Sequence, residues 1–262
     1  MKVELLTFTP DALTLLLKTK GTRLAHDDDP ATWDEAKRME HLEYMRDTIK
    51  SSWEFVDYVF KIEGVTRAFT HQLVRTRTGA YAQESQRTVD VRDHEVIKPE
   101  LPPLGDPFNI SQPTPEEMWD GAVEHIKHAY SEMMELGIPA QDARGILPTN
   151  ISTSIVAKFN LRTLHEMAKL RLCTRTQGEY QEVFRAMREA VCEVHPWARE
   201  FLDVYCAAHG TCAFPRYGKT SCPLYKHVMP QEELERRRAA VREEERNTRH
   251  VAIPIAVEGR TM

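Results

Sequence analysis

The chain has 262 residues, 41% of them hydrophobic and 29% charged, with a formal net charge of −5. That length buries a sizeable core, no apolar run approaches the roughly 18 residues of a membrane-spanning helix, and the acidic balance argues against a general nucleic-acid coat. Five cysteines, an odd number, do not make a disulfide framework and suit a reducing compartment. An N-terminus without a long apolar region or a small-residue cleavage site leads to the expectation of a cytoplasmic protein.

Residues 2–8 alternate well enough for a strand, and Thr9-Pro10-Asp11 offers an N-cap, a first-turn proline and a first-turn acid ahead of Leu13, Leu16 and Leu17. A polar turn at Asp27-Asp28-Asp29-Pro30 separates this helix from a second over about residues 31–50, with Trp33, Met39, Leu42, Met45 and Ile49 at helical spacing. Val56 to Ile62 is rich in β-branched and aromatic residues and reads as a strand that Gly64 ends. Val65, Phe69, Leu73 and Val74 then follow helical spacing. Prolines 102, 103, 107, 113 and 115 mark a loop, closed by the capping box Thr114-Pro115-Glu116-Glu117 of a helix that runs to Gly137 before Pro139. The spacing of Ile155, Phe159, Leu164, Met167 and Leu170 predicts one core-facing helix, and Val183, Met187 and Val191 another. Residues 231–249 contain six Arg and six Glu, with Glu232/Arg236, Glu233/Arg237 and Glu245/Arg249 four apart, a solvated helical tail. These readings give an α+β fold, a small antiparallel-containing sheet with helices and a helical C-terminal tail, divided into residues 1–205 and a cysteine-containing loop and charged tail over 206–262.

Two segments reverse the global charge. Residues 65–92 carry Arg67, Arg75, Arg77, Arg87 and Arg92 against Glu84 and Asp90, and residues 158–175 carry Lys158, Arg162, Lys169, Arg171 and Arg175 against Glu166. The first holds Arg75-Thr76-Arg77, seven residues, Ser85, and then Arg87, where a helix gives way to the Gly79 loop. Each guanidinium offers a fork of donors, so arginines this dense among small polar residues suit phosphates. Arg162 and Arg171, nine residues apart on one helix, are expected on opposite sides and in different pockets.

The order and spacing of these blocks resemble the flavin-dependent thymidylate synthases, whose signature is R-H-R, seven residues, then serine. The resemblance covers most of residues 1–200, through Trp53-Glu54-Phe55, Glu63-Gly64-Val65-Thr66-Arg67, Gln72-Leu73-Val74-Arg75, Ala143-Arg144 with Leu147-Pro148, and Asn160-Leu161-Arg162 onward to Gln177. It implies the fold of that family and an enzyme that methylates C5 of a deoxypyrimidine monophosphate, dUMP to dTMP. Methylenetetrahydrofolate would supply the carbon, FAD the hydride and NADPH the reducing power, in a homotetramer. It further implies that Gln72, Gln83, Ser85, Gln86, Arg87 and Arg144 contact the nucleotide, that Arg171 faces the pyrimidine, and that Arg75, Thr76, Arg77, Asn160, Arg162 and Glu166 form the flavin side. Ser85 and Arg171 would then lie nearest the chemistry, Ser85 as a contact with no base to activate it.

This chain departs from the pattern at Thr76, in place of the central histidine, at Phe55, in place of another, at Ala82-Gln83, in place of Asn-Glu, and at Gly178, in place of an aromatic residue. An amide both donates and accepts where a carboxylate only accepts, so methylation or hydroxymethylation of dCMP or another pyrimidine nucleotide stands as an alternative. A nucleic-acid-binding module on the Arg75–Arg92 patch stands as the alternative of another class, although the net charge makes nucleic acid an unexpected partner. Cys173, Cys206, Cys212 and Cys222, with His209 as a spare ligand, could hold structural zinc, but none is spaced C-x-x-C and unpaired thiols without a metal are preferred. Cys192 reads as core, His125 and His128 as exposed helix residues, and His71 as a neighbour of the pocket.

Overall fold

The computed structural model describes residues 1–24, 29–48, 50–101, 113–214, 222–230, 232–233 and 235–236. The Asp27-Asp28 turn, Ile49, prolines 102, 103 and 107, Pro215 and the charged tail beyond Arg236 lie outside the described residues. The chain divides into two compact units, Met1–Asp203 and Val204–Met262.

In the first unit β1 (Lys2–Phe8), β2 (Asp57–Thr66), β3 (Ala80–Gln83) and β4 (Ser152–Asn160) form an antiparallel sheet in the order β1-β2-β4-β3. Period-two alternation decides which face is covered. Tyr58, Phe60 and Ile62 of β2 lie opposite Phe159, Ala157 and Ile155 of β4, and all six are buried. Each large apolar side chain buried this way contributes about 1.5–3 kcal/mol. The strand-to-helix spacing at Ile155 and Phe159 misleads, because a step of four satisfies both the helical and the strand period. The alternation Thr153, Ile155, Ala157, Phe159 is buried on one side of β4, and the helix begins only after Asn160. Nor does Gly64 end β2. It sits at φ +64, where the β2–β4 register shifts between Ile62 and Val65, so the glycine accommodates a bulge and the strand continues to Thr66.

The helices are α1 (Ala12–Leu24), α2 (Glu35–Asp47), α3 (Arg67–Leu73), α4 (Pro115–Glu135), α5 (Ala140–Ala143), α6 (Leu161–Arg171), α7 (Gly178–Val194) and, in the second unit, α8 (Tyr205–His209). Thr9 does not cap α1. Its N–H donates to the Asp57 carbonyl at 3.0 Å and its hydroxyl accepts from the Asp57 N–H at 2.9 Å, prolonging the β1–β2 ladder. The helix therefore starts two residues later than Pro10, behind Asp11 at φ 45, a conformation that Asp tolerates better than most residues. The second helix is also shorter than the spacing suggests: Pro30–Thr32 is a separate 3-10 turn, and Asp34 caps α2 by accepting from the Lys37 N–H at 2.8 Å. α4 carries the full capping box at Thr114 and Glu117.

Val183, Phe184, Met187 and Val191 of α7 are buried in the helical layer that packs on β1 and β2, and Leu13, Leu16 and Leu17 are buried on α1, which packs on α2 and the 3-10 turn Lys50–Phe55. A smaller cluster of Val91, Tyr130, Ala143 and Ile151, flanked by Met133, Met134, Ile138 and Leu147, anchors α4 and the turn that carries Arg144. In the second unit α8 ends at Gly210, whose carbonyl accepts from the Met229 N–H at 2.8 Å. Among the described residues no helix is long and apolar enough to cross a membrane.

Candidate active site

The covered sheet face and its helices bring the two arginine-bearing segments together. Thr66 ends β2 and caps α3, its hydroxyl accepting from the Phe69 N–H at 3.0 Å. The chain leaves α3 at Leu73 through tight turns, with Arg75 N–H donating to the Gln72 carbonyl at 3.2 Å and Gly79 N–H to the Thr76 carbonyl at 3.0 Å. Tyr81 fastens this loop from β3: its hydroxyl lies 2.6 Å from the Thr76 carbonyl and 3.0 Å from that of Leu73. Burial and the nearby Tyr180 push the Tyr81 phenol up to about 12, so it remains a donor. Gly79 allows the approach, since a Cβ there would stand 2.6 Å from Phe159 Cε1 and 2.6 Å from the Tyr81 hydroxyl.

A cavity of about 720 Å³ opens beside this loop, within the range of small-molecule sites. Thr76 and Thr78 line it from the loop, Glu54 from the turn before β2, and Asn160, Arg162, Thr163, Glu166, Met167, Leu170 and Arg171 from α6 and its cap. Of the residues read from the sequence, it thus unites Thr76, Asn160, Arg162, Glu166 and Arg171. The expectation that one pocket could not take both Arg162 and Arg171 is corrected. They lie roughly 180° apart around the helix, but residues 163, 166, 167 and 170 fill the arc between them, and the cavity follows that whole half of α6.

The side chains around it are differently engaged. Asn160 Oδ1 accepts from the Thr163 N–H at 2.8 Å and caps α6, which fixes the start of the helix and hence the direction of Arg162. Arg162 pairs with Glu54 at a half-exposed position. Lys169 donates to Glu166 at 2.7 Å, and beneath it His165 is buried, its Nδ1–H donating to the Phe201 carbonyl at 2.6 Å. Burial holds His165 below the ordinary imidazole range, so it is neutral.

The remaining sequence-derived residues lie outside the cavity lining. Arg75, Arg77 and Arg87 are exposed. Gln72 donates to Gln177, the cap of α7. Gln83 shares the covered face of the sheet with Tyr81, as alternation on β3 dictates, and its amide donates to the Thr70 hydroxyl at 2.7 Å. Ser85 accepts from the Arg87 N–H at 3.3 Å. Gln86 is 9% exposed, and its buried amide nitrogen has no hydrogen-bond partner among the described residues. Arg144 donates to the Gln141 carbonyl at 3.1 Å. The sequence assigned no role to Arg67, yet it donates to the Glu84 carbonyl at 3.2 Å, and burial and the Arg144 charge both lower the proton affinity of its guanidinium. Two guanidinium groups that repel one another in a partly buried place suit an anion. Its position in the Arg67-to-Arg87 block was the available signal. Among the described residues no three His, Cys, Asp or Glu side chains gather into a group able to hold a metal; Cys206 is buried, and Cys173, Cys212 and Cys222 are half-buried. Cys192 is core, His71 is exposed, and so are His125 and His128.

An arginine at either end of one cavity, hydroxyls and an amide between them and the apolar Met167 and Leu170 beside them make a receptor for an anionic, hydroxyl-bearing ligand with a planar ring, the chemistry of a nucleotide-binding enzyme. Residues 4–197 match the family described as "Thymidylate synthase complementing protein", and the chain belongs to that family, the flavin-dependent thymidylate synthases. It is 31% identical over 217 residues to the flavin-dependent thymidylate synthase of Sulfurisphaera tokodaii, covering 80% of each chain. Against that of Saccharolobus solfataricus it is 33% identical over 187 residues, 70% of this chain and 65% of the relative. Its fold resembles the crystal structure of a UMP/dUMP methylase, PolB, from Streptomyces cacaoi bound with 5-Br dUMP, with a TM-score of 0.62 and 21% identity over 76% of this chain and 93% of that one.

Proposed function

We propose that this enzyme methylates C5 of dUMP, with FAD as its flavin, methylenetetrahydrofolate as carbon donor and NADPH as the source of reducing power. The observation that carries the reading is the single cavity along α6 with Arg162 and Arg171 at its ends and the Thr76–Thr78 loop across from them. The donor set fits a flavin: Arg162 for its phosphates, Thr76, Thr78 and Asn160 for its hydroxyls and ring edge, and Met167 and Leu170 for the faces of its ring system. When bound, the flavin supplies the hydride, and the protein supplies binding, orientation and electrostatics.

Arg67, Arg144 and Arg87 take the nucleotide phosphate, with Ser85, Gln72, Gln83 and Gln86 as hydrogen-bonding neighbours and Arg171 toward the pyrimidine. The amide of Gln86, unpartnered among the described residues, and the neighbouring cations of Arg67 and Arg144 support this assignment. Ser85 contributes a contact and no nucleophile, as among the described residues its hydroxyl is engaged by the Arg87 N–H and by no base. Arg75 and Arg77, exposed on the loop, extend the flavin side, and Glu166 holds Lys169 beside it. The catalytic machinery lies in residues 1–205, and the working form is a homotetramer in which neighbouring subunits share sites. The test is to offer dUMP and dCMP side by side to flavin-loaded enzyme with NADPH and methylenetetrahydrofolate. Mass spectrometry should find a methylated product from dUMP alone. A product from dCMP, or from neither nucleotide, refutes the assignment.

A further inference from the structure

The two arginines that bound the cavity are held by different chemistry. Arg162 is paired with the Glu54 carboxylate, which orients the guanidinium but also neutralises it. Among the described residues no carboxylate pairs with Arg171. Its guanidinium carbon instead lies 4.3 Å from the centroid of the Tyr180 ring, well inside the range of cation–π attraction. An aromatic face orients a cation and leaves its charge and its edge-on donors available to a ligand.

Tyr180 is itself fixed. It is fully buried in the first turn of α7, and its ring meets Phe69 of α3 edge-on at 5.0 Å. Its hydroxyl is buried and among the described residues makes no well-formed hydrogen bond, although Thr76 and Arg171 are near enough to counter the rise in proton affinity that burial brings. Tyr180 thus touches three elements of the site at once: Arg171 at the end of α6, Thr76 in the arginine loop and Phe69 in the helix that carries Gln72.

We propose that Tyr180 is a positioning residue for Arg171: its ring holds the guanidinium toward the cavity, charged and unpaired, and so sets the affinity of that end of the site for the nucleotide. This rests on the reading that Arg171 contacts the nucleotide, and the experiment separates the two. Calorimetric titration of flavin-loaded enzyme with dUMP is carried out for the wild type, Tyr180→Phe, Tyr180→Leu, Arg171→Ala and the double variant Arg171→Ala/Tyr180→Leu. Tyr180→Phe keeps the ring face and should bind within about twofold of wild type. Tyr180→Leu loses it and should bind roughly two- to thirty-fold more weakly, the span of a cation–π contact from exposed to desolvated. In the Arg171→Ala background the same Tyr180→Leu change should have almost no further effect, which general damage to the core would not reproduce. Wild-type affinity in Tyr180→Leu overturns the proposal, as does an equal loss with and without Arg171, or a loss in Tyr180→Phe as large as in Tyr180→Leu. Unaltered binding by Arg171→Ala overturns both the proposal and the nucleotide reading of Arg171.

Discussion

Replacing Gly79 by alanine tests whether the arginine loop is held by close packing. The new methyl would enter at 2.6 Å from Phe159 Cε1 and at 2.6 and 2.8 Å from the hydroxyl and Cζ of Tyr81, so something must move. Phe159 is completely buried in the middle of the sheet, which leaves Tyr81 to yield. Overpacking of this kind costs about 1–3 kcal/mol. Displacing the Tyr81 hydroxyl from the Thr76 and Leu73 carbonyls adds about 1 kcal/mol for a net hydrogen bond. The sum, about 2–4 kcal/mol, corresponds to a fall in melting temperature of roughly 4–16 °C for a unit of this size. The assay is thermal unfolding of ligand-free protein beside FAD titration, because the same loop contributes Thr76 and Thr78 to the cavity. Both stability and flavin affinity should fall. A melting point within about 1 °C of wild type would refute the packing argument.

Arg162→Ala removes half of an ion pair whose two side chains are about half exposed, 50% and 51%. Its melting temperature without ligand should therefore move by no more than about 4 °C, while flavin retention on a desalting column should fall clearly below wild type; unchanged retention would remove Arg162 from the flavin side. Glu179→Gln disturbs a carboxylate that accepts from the Thr66 N–H at 2.7 Å and from its hydroxyl at 2.6 Å. A loss of about 2 kcal/mol in urea unfolding is expected, from the charge-assisted share of those bonds, and an unshifted midpoint would count against it. His165 and His195 are buried with their imidazoles held below the usual range, chiefly by desolvation. The folded state then binds fewer protons than the unfolded one, so stability is present above the unfolded value near 6.5 and is lost as pH falls through it toward the folded values. Melting points at pH 7.5 and 5.5 should show that decrease, and His195→Gln should flatten it.

The sequence made the arginine blocks and their family resemblance legible because phosphate-binding chemistry draws on few residue types at fixed local spacing. It also made α3, α4 and α7 legible, since Thr114-Pro115 and the Val183, Met187, Val191 stripe signal a cap and a face. β4 was not legible in this way. Residues spaced by four satisfy two periods, and only pairing with β2 decides between them. Thr9 shows the same limit: the residue has the chemistry of a cap, but tertiary pairing with Asp57 takes its hydroxyl first. The contents of the cavity were half legible. Counting angles around α6 separates Arg162 from Arg171, and nothing in that count reveals that one concavity follows half the helix.

The first turn of α7 explains how these pieces stay in register. In a capping box, the cap's backbone N–H is satisfied by a carboxylate three residues along the same helix. At α3 that carboxylate comes from elsewhere in the chain, for Glu179 accepts from Thr66 at the start of the helix, while Gln177 receives Gln72 at its end and Tyr180 meets Phe69 between them. Three successive contacts along one side fix a seven-residue helix that is too short to be stable alone. The same turn reaches Arg171 through Tyr180. A substitution at Glu179 should therefore act on two sites that it does not touch, lowering the affinity for both nucleotide and flavin in proportion to lost stability. A change at Gln177 should disturb the nucleotide side first, because its side-chain contact is with Gln72, whereas flavin depends on the loop that Tyr81 secures independently.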